Sequence, residues 1–280
     1  TVIDQIVENP DMLQLGGEKR EMTPFFSDIQ GFSTISEGLT PEELVQLLNE
    51  YLTAMCDIIS SHHGTIDKFE GDAIIAFWGA PLKLPNHATI ACYATIEMQQ
   101  RSVELRKMLR EQNRPLLYTR MGLNSGPVVV GNMGSAERMD YTMMGDVVNL
   151  AARLEGANKF YKTYSMISGS TYELTKEDVD SRQLDIIRVV GKKEPVPVHE
   201  LLARKNETSS EMSGVVEQYL KGLKLYQDKN FADAVKEFEK VLTIDPEDGP
   251  SLTYVKRCGM FIETPPEKDW DGVFTFTEKG

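Results

Sequence analysis

Between residues 23 and 202 the hydrophobic pattern changes period several times, and the order of these changes restricts the possible folds. An apolar strand pattern at residues 25–29 is followed by a helical period over 40–61, and then by two apolar runs on either side of residues 70–72. Two apolar runs separated by a glycine indicate a β-hairpin. Because a second helical period and further strand patterns follow, the order predicts an α+β fold, a ferredoxin-like βαββαβ sandwich.

Several element boundaries are visible as well. Thr40, followed by Pro41 and by Glu43, predicts the start of a helix, because these residues match a capping box with proline in the first turn. The glycines and charges of residues 15–20 predict a loop before the first strand. We further expect helices at about residues 86–112 and 146–157, and strands near 118–124, 127–131, 165–167, 185–190 and 196–201.

A change in composition after residue 203 indicates a second unit. The predicted organisation is a connector at residues 1–22, a main domain at 23–203, a linker at 204–212 and a helical appendage at 213–280.

The appendage contains the spacing of one tetratricopeptide unit, at Gly222, Ala234, Phe238 and Pro246. A single repeat cannot bury its own apolar face, so we expect it to pack on the main domain or on a partner, with a capping helix at 251–262. A plain helical hairpin without a binding role is the alternative.

Charge and cysteine content argue against several classes of protein. A net charge of −13 disfavours nucleic-acid binding, which needs clustered Lys and Arg. The three cysteines lack C-x-x-C spacing, so neither a disulfide framework nor a zinc site is predicted. The sequence contains no run of about 18 apolar residues, so no membrane span is predicted. Because the chain starts at Thr1 without a signal peptide, we interpret it as a fragment with more protein upstream, and its scattered cysteines fit a reducing, cytoplasmic setting.

Two aspartates stand where strands meet turns. Asp28 ends the first apolar strand, shortly before Gly31, and Asp72 lies in the predicted hairpin turn. If the hairpin lies beside that strand, the two carboxylates meet, which is costly unless a cation joins them. Carboxylate oxygens suit Mg²⁺ or Mn²⁺, with substrate phosphates as further ligands. The pair predicts a two-metal phosphate site, and two ordinary turn aspartates are the alternative.

Asn149 and Arg153 are four residues apart on a predicted helix and therefore share one face. Arginine can stabilise the charge of a phosphoryl transition state, and asparagine can orient a ribose. The alternative is a surface arginine that pairs with Glu155 or Asp146.

Three motifs together resemble the class III nucleotidyl cyclases, over residues 23–202. They are Phe26-Ser27-Asp28-Ile29 with Gly31-Phe32, Lys68-Phe69 with Gly71-Asp72, and Gly145-Asp146 with Val148-Asn149, Ala151 and Arg153. The resemblance implies that Asp28, Asp72 and the carbonyl of Ile29 bind two Mg²⁺ or Mn²⁺ ions. It also implies roles for Asn149 and Arg153 at the ribose and the transition state, for Arg120 at the triphosphate, and for Gly31, Phe32 and Ser33 around the phosphates.

Two further positions imply which nucleobase the substrate carries. Lys68 and Thr142 resemble the adenylate-forming subgroup IIIb, whereas guanylate-forming members carry Glu and Cys there. Lysine can donate to adenine N1, and the threonine hydroxyl can accept from the exocyclic amine. The implied reaction converts ATP to 3′,5′-cyclic AMP and pyrophosphate. A guanylate cyclase and a catalytically weak regulatory dimerisation module are the alternatives.

The resemblance also implies how the protein assembles. In this family one subunit provides the metal aspartates and the other provides Lys68, Thr142, Asn149 and Arg153, so a head-to-tail homodimer with two sites is implied. A lysine common near the triphosphate is replaced by Val190, with Lys192 or Lys193 as substitutes. Residues 15–20 and 265–273 are similar to bacterial receptor-type cyclases, which implies an upstream sensor and membrane helices.

Overall fold

The computed structural model describes residues 15–135, 137–188, 194–267 and 269–275. The strands are β1 (Gly16–Ile29), β2 (Thr65–Glu70), β3 (Ala73–Trp78), β4 (Thr119–Leu123), β5 (Gly126–Gly134), β6 (Met139–Met144), β7 (Ser165–Ser168), β8 (Val179–Arg188), β9 (Val196–Arg204) and β10 (Phe274–Thr275). The helices are α1 (Phe32–Glu37), α2 (Pro41–Ser61), α3 (His87–Glu111), α4 (Asp146–Tyr161), α5 (Gly169–Thr175), α6 (Ser210–Gln227), α7 (Phe231–Ile244) and α8 (Gly249–Glu263). The predicted α+β fold is confirmed. Within these stretches every helix is too short or too polar to cross a membrane.

Strand β1 organises the sheet because it pairs with three other strands. Its residues 16–22 pair antiparallel with β5, and residues 23–29 pair with β3 on one side and β4 on the other. The strand order is β10-β8-β9-β7-β4-β1-β3-β2, and β5 and β6 extend the first half of β1 into an arm. The carboxyl end of β1 therefore lies between β4 and the β2–β3 hairpin.

The prediction of a loop at residues 15–20 is wrong, because β1 already begins at Gly16. This part of the strand is mostly exposed, so its residues show no apolar alternation. Its pairing runs from Gly16 opposite Asn132 to Met22 opposite Gly126. Such a distant partner leaves no local pattern in the sequence.

Other boundaries also differ from prediction. Strand β8 begins at Val179 rather than near residue 185, and residues 189–193 lie outside the described part of the chain. Strand β6 and helix α5 are not predicted at all. Strand β6 pairs antiparallel with β5, with Thr142 opposite Gly131, so its place also depends on a neighbouring strand.

The two faces of the sheet are covered by different elements, as strand β3 shows. Ile74, Ala76 and Trp78 belong to the core beneath α2 and α3. Ile75 and Phe77 point the other way, into a cluster with strands β5 and β6. This alternation is the usual consequence of a period of two in a strand.

The predicted capping box at the start of α2 is present. The backbone N–H of Glu43 donates to the hydroxyl of Thr40 at 3.3 Å, and the Glu43 carboxylate accepts from the backbone N–H of Thr40 at 2.9 Å. The local signal was sufficient here because every partner lies within one helical turn.

Helices α6 to α8 pack against the sheet face that carries α4. One buried cluster joins Leu154 of α4 and Leu184 of β8 with Tyr219 of α6 and Tyr254 of α8. The appendage thus packs on the main domain, which is one of the two expected outcomes. Helix α6 begins at Ser210, inside the segment predicted as a linker.

Candidate active site

Asp28 and Asp72 lie in contact at the carboxyl end of β1. Asp28 is the penultimate residue of β1, and Asp72 follows Gly71, which makes the hairpin turn with φ of 65°. The Asp72 carboxylate accepts a hydrogen bond of 2.9 Å from the backbone N–H of Ile29. Burial, together with the hydrogen bond between the two carboxyl groups, raises the pKa of Asp72 to about 6. The hairpin therefore brings the two aspartates together.

Arg120 and Glu155 adjoin this pair. Arg120 lies opposite Asp28 in the β1–β4 ladder, and its Nη2 is 3.4 Å from an Asp28 carboxylate oxygen. Its Nε donates to Glu155 of α4 at 3.0 Å. Burial raises the pKa of Glu155 to about 7, although the charge of Arg120 acts against this rise. Arg120 thus pairs with two acids, Asp28 and Glu155, and Asp72 contacts Asp28 from the hairpin.

This donor set fits Mg²⁺ or Mn²⁺, since hard cations prefer carboxylate and phosphate oxygens. Burial, followed by the contact with Asp28, raises the pKa of Asp72, and a bound cation would favour the ionised form of both carboxylates. The described residues contain no group of three His, Cys, Asp or Glu side chains arranged to hold a metal ion. Phosphate and water would therefore have to complete the ligand shell.

Lys68 of β2 and Thr142 of β6 lie on either side of one carboxylate, that of Asp67. The Thr142 hydroxyl donates to Asp67 at 2.6 Å, and the Lys68 ammonium lies 3.6 Å from the other oxygen of the same carboxylate. Asp67 thus links the two residues that are predicted to contact the base.

Asn149 and Arg153 occupy one face of α4, in its first two turns. Asn149 is exposed and Arg153 is half-buried. Buried Nη1 of Arg153 has no hydrogen-bond partner among the described residues. Glu155 binds Arg120 instead, so the alternative pairing of Arg153 with Glu155 is not what the structure shows.

Five of the candidate residues fall into two separate sets. Asp28, Asp72 and Arg120 make one set with Glu155, and Lys68 and Thr142 make the other with Asp67. Across the described residues, hydrogen bonds and ion pairs connect members within each set but do not connect one set to the other.

The predicted phosphate segment follows β1 directly. Gly31 has φ of 69°, a left-handed conformation that favours glycine, and Phe32 begins α1. Ser33 lies in the first turn of that helix. Val190, Lys192 and Lys193 lie outside the described residues.

Two neighbours of the site are not predicted as site residues from the sequence, Asp67 and Glu155. Asp67 adjoins Lys68, and Glu155 lies two residues after Arg153. Proximity to a motif was the only available signal, and it does not reveal which side chain each acid contacts.

Comparison with known proteins identifies the class. Residues 17–202 match the family described as "Adenylate and Guanylate cyclase catalytic domain". The chain belongs to this family.

The most similar proteins include cyclases for both bases. Adenylate cyclase 1 of Rhizobium meliloti (strain 1021) is 38% identical over 184 residues, which cover 66% of this chain and 28% of that protein. Among solved structures, the crystal structure of the adenylyl cyclase CyaB from P. aeruginosa superimposes on this chain with a TM-score of 0.64 and 38% sequence identity. The match covers 70% of this chain and 100% of the CyaB chain. The guanylyl cyclase Cya2 is 36% identical with a TM-score of 0.64, covering 70% and 98%.

Proposed function

We propose that this domain is an adenylate cyclase, which converts ATP to 3′,5′-cyclic AMP and pyrophosphate. The contact between Asp28 and Asp72 carries the proposal, because a half-buried pair of carboxylates calls for cations, and these cations would bind a triphosphate. Similarity to proteins named adenylate cyclase supports the choice of reaction.

The reaction would be an in-line displacement at the α-phosphorus. The ribose 3′-oxygen forms a new bond to phosphorus while the bond to pyrophosphate breaks, and the hydroxyl proton passes to solvent water. Two Mg²⁺ or Mn²⁺ ions, held by Asp28, Asp72 and the Ile29 carbonyl, would lower the pKa of the 3′-hydroxyl and offset phosphate charge. The N–H of Ile29 fixes the Asp72 carboxylate towards Asp28.

Positive charge and backbone groups would position the rest of the nucleotide. Arg153 would stabilise charge in the transition state, and its unsatisfied Nη1 among the described residues supports this role. Asn149 would orient the ribose from the same face of α4. Arg120 would contact the triphosphate from beside Asp28, with Gly31, Phe32 and Ser33 around the phosphates.

Lys68 and Thr142 would select adenine, as in subgroup IIIb. The ammonium can donate to N1, and the hydroxyl oxygen can accept from the exocyclic amine. Guanine has a donor at N1 and an acceptor oxygen at the exocyclic position, which is the reverse of adenine, so Lys68 and Thr142 favour ATP.

A complete site would need two chains. The separation of the aspartate set from Lys68 and Thr142 supports a head-to-tail homodimer in which each site takes one set from each chain. An isolated chain would then be inactive.

The surroundings of the domain are part of the same proposal. Similarity of residues 15–20 and 265–273 to receptor-type cyclases supports an upstream sensor with membrane helices and a cytoplasmic position for this domain.

The appendage would be tetratricopeptide-like. Gly222 allows α6 to approach Phe238 of α7, because a Cβ added at Gly222 would lie 2.8 Å from the Phe238 ring. Such a unit could also bind a protein partner.

One assay tests the central proposal. The purified chain is supplied with ATP or GTP and with Mg²⁺ or Mn²⁺, and the products are separated by chromatography. We expect metal-dependent cyclic AMP and a preference for ATP. Asp72→Asn should lower the rate by about 100-fold or more, whereas Asp57→Asn, an exposed acid on α2, should leave it unchanged. Cyclic GMP as the main product, or no product from a folded dimer, would refute the proposal.

A further inference from the structure

Asp67 lies between Lys68 and Thr142 because strand β2 is bulged at this residue. Ile66 pairs with Ala76 and Lys68 pairs with the adjacent Ile75, so Asp67 has no partner of its own in the ladder. A bulge interrupts the strict alternation of side chains and redirects the extra residue. Asp67 and Lys68 would otherwise point to opposite faces of the sheet, and the bulge lets them approach each other. Thr142 contacts the same Asp67 carboxylate from strand β6.

The contact with Thr142 is the stronger of the two contacts of Asp67. The hydrogen bond from the hydroxyl is short, at 2.6 Å, and the Asp67 side chain is only 3% exposed. Lys68 is 42% exposed, and its ammonium stays 3.6 Å from the carboxylate. A buried, charge-assisted hydrogen bond contributes more than an ion pair to a solvated ammonium.

This hydrogen bond restricts what Thr142 can offer to a nucleotide. A carboxylate can only accept, so the hydroxyl must donate its single proton to Asp67. The threonine oxygen then presents lone pairs alone. Adenine carries a donor amine at its exocyclic position, and guanine carries an acceptor oxygen there. Thr142 can therefore accept from adenine but cannot donate to guanine.

We propose that Asp67 is a specificity-determining residue, which selects ATP over GTP by holding the Thr142 hydroxyl as a hydrogen-bond acceptor. Asp67 acts through Thr142 and is thus a positioning residue. The inference rests on the proposed function, in which Lys68 and Thr142 contact the base.

The first test replaces Asp67 with alanine, which frees the Thr142 hydroxyl to rotate and to donate to guanine. The ratio of kcat/KM for ATP to that for GTP should fall by about tenfold or more in Asp67→Ala. Asp140→Ala is the matched control, since Asp140 is an exposed acid on β6 whose charge reaches Asp67 but which makes no hydrogen bond to Thr142. The control should keep the wild-type ratio.

A double-mutant cycle shows whether the effect passes through Thr142. In a Thr142→Val background the hydroxyl is gone, so Asp67→Ala should no longer change the ratio. An equal fall in both backgrounds would overturn the inference, as would an unchanged ratio in Asp67→Ala alone.

A second readout covers the case in which Asp67→Ala turns over neither nucleotide. Displacement of a fluorescent nucleotide by 3′-deoxy-ATP and 3′-deoxy-GTP, which cannot cyclise, gives the same ratio from binding. A wild-type chain that prefers GTP would refute the proposed function itself. A wild-type chain that prefers ATP, with a preference independent of Asp67, would refute only this inference.

Discussion

Arg257 of α8 donates to the Asp185 carboxylate of β8 at 2.6 Å, and the Tyr161 hydroxyl donates to the same oxygen at 2.6 Å. The Arg257 and Asp185 side chains are only 7% and 3% exposed. Tyr161 is the last residue of α4, the helix that carries Asn149 and Arg153. One carboxylate therefore ties the appendage to the sheet and to the helix of the candidate catalytic residues.

Removal of this arginine should destabilise the chain. Arg257→Ala leaves the buried Asp185 without its counter-charge, and we expect the free energy of unfolding to fall by about 3 kcal/mol. Urea unfolding followed by circular dichroism measures the change. Lys221→Ala serves as the control, because it breaks only an exposed pair with Glu217 and should not shift the midpoint measurably. Equal midpoints for Arg257→Ala and wild type would contradict the structural argument.

Shared sites predict recovery of activity when two inactive variants are mixed. Asp72→Ala and Arg153→Ala chains each lack one part of every site in their own homodimers, but their heterodimer contains one intact site. With random exchange of chains, about one quarter of wild-type cyclic AMP production should return.

The control for this experiment mixes Asp28→Ala with Asp72→Ala. Both changes lie in the same set, so no heterodimer site is intact and no activity should return. A mixture of Asp72→Ala and Arg153→Ala that forms heterodimers and yet stays inactive would count against shared sites.

Two glycines of α6 should respond to alanine in opposite directions. An added Cβ at Gly222 would lie 2.8 Å from the Phe238 ring, so Gly222→Ala should lower stability by about 1–2 kcal/mol through overpacking. At Gly214 nothing lies within 4 Å of the new Cβ, and Gly214→Ala should raise stability by about 0.5–1 kcal/mol through helix propensity. Thermal unfolding measures both, and an unchanged or raised stability of Gly222→Ala would refute the close approach at Gly222.

The buried His199 should make folding depend on pH. It stacks on Tyr172, with ring centroids 4.1 Å apart, and burial lowers its pKa from 6.5 to about 4. Between these values the unfolded chain binds the proton and the folded chain does not, so stability falls as the pH falls through this window. The loss attributable to His199 is about 3 kcal/mol at most.

Comparison with His199→Phe isolates this contribution, because phenylalanine keeps an aromatic ring beside Tyr172 and cannot titrate. Urea midpoints from pH 7 to pH 4.5 should decline less steeply for the variant than for wild type. Identical slopes would show that His199 does not titrate in the way its burial suggests.

Local patterns were reliable where all the partners lie close in the chain. The capping box of Thr40 and Glu43 and the β2–β3 hairpin around Gly71 are present as predicted. Their determinants are spacing, turn chemistry and hydrophobic period, all of which operate within a few residues. The exposed half of β1 and strand β6 were missed, because their pairing with β5 gives no such local signal.

The sequence by itself determined the class of fold and the residue types available for chemistry, through the order of its periods and the spacing of its motifs. Only the tertiary structure decided which side chains meet. It places Arg120 between Asp28 and Glu155, and it places Asp67 against Thr142 at a bulge in β2. The physical reason is that strand register and burial depend on residues far apart in the chain, whereas periodicity reports only on near neighbours.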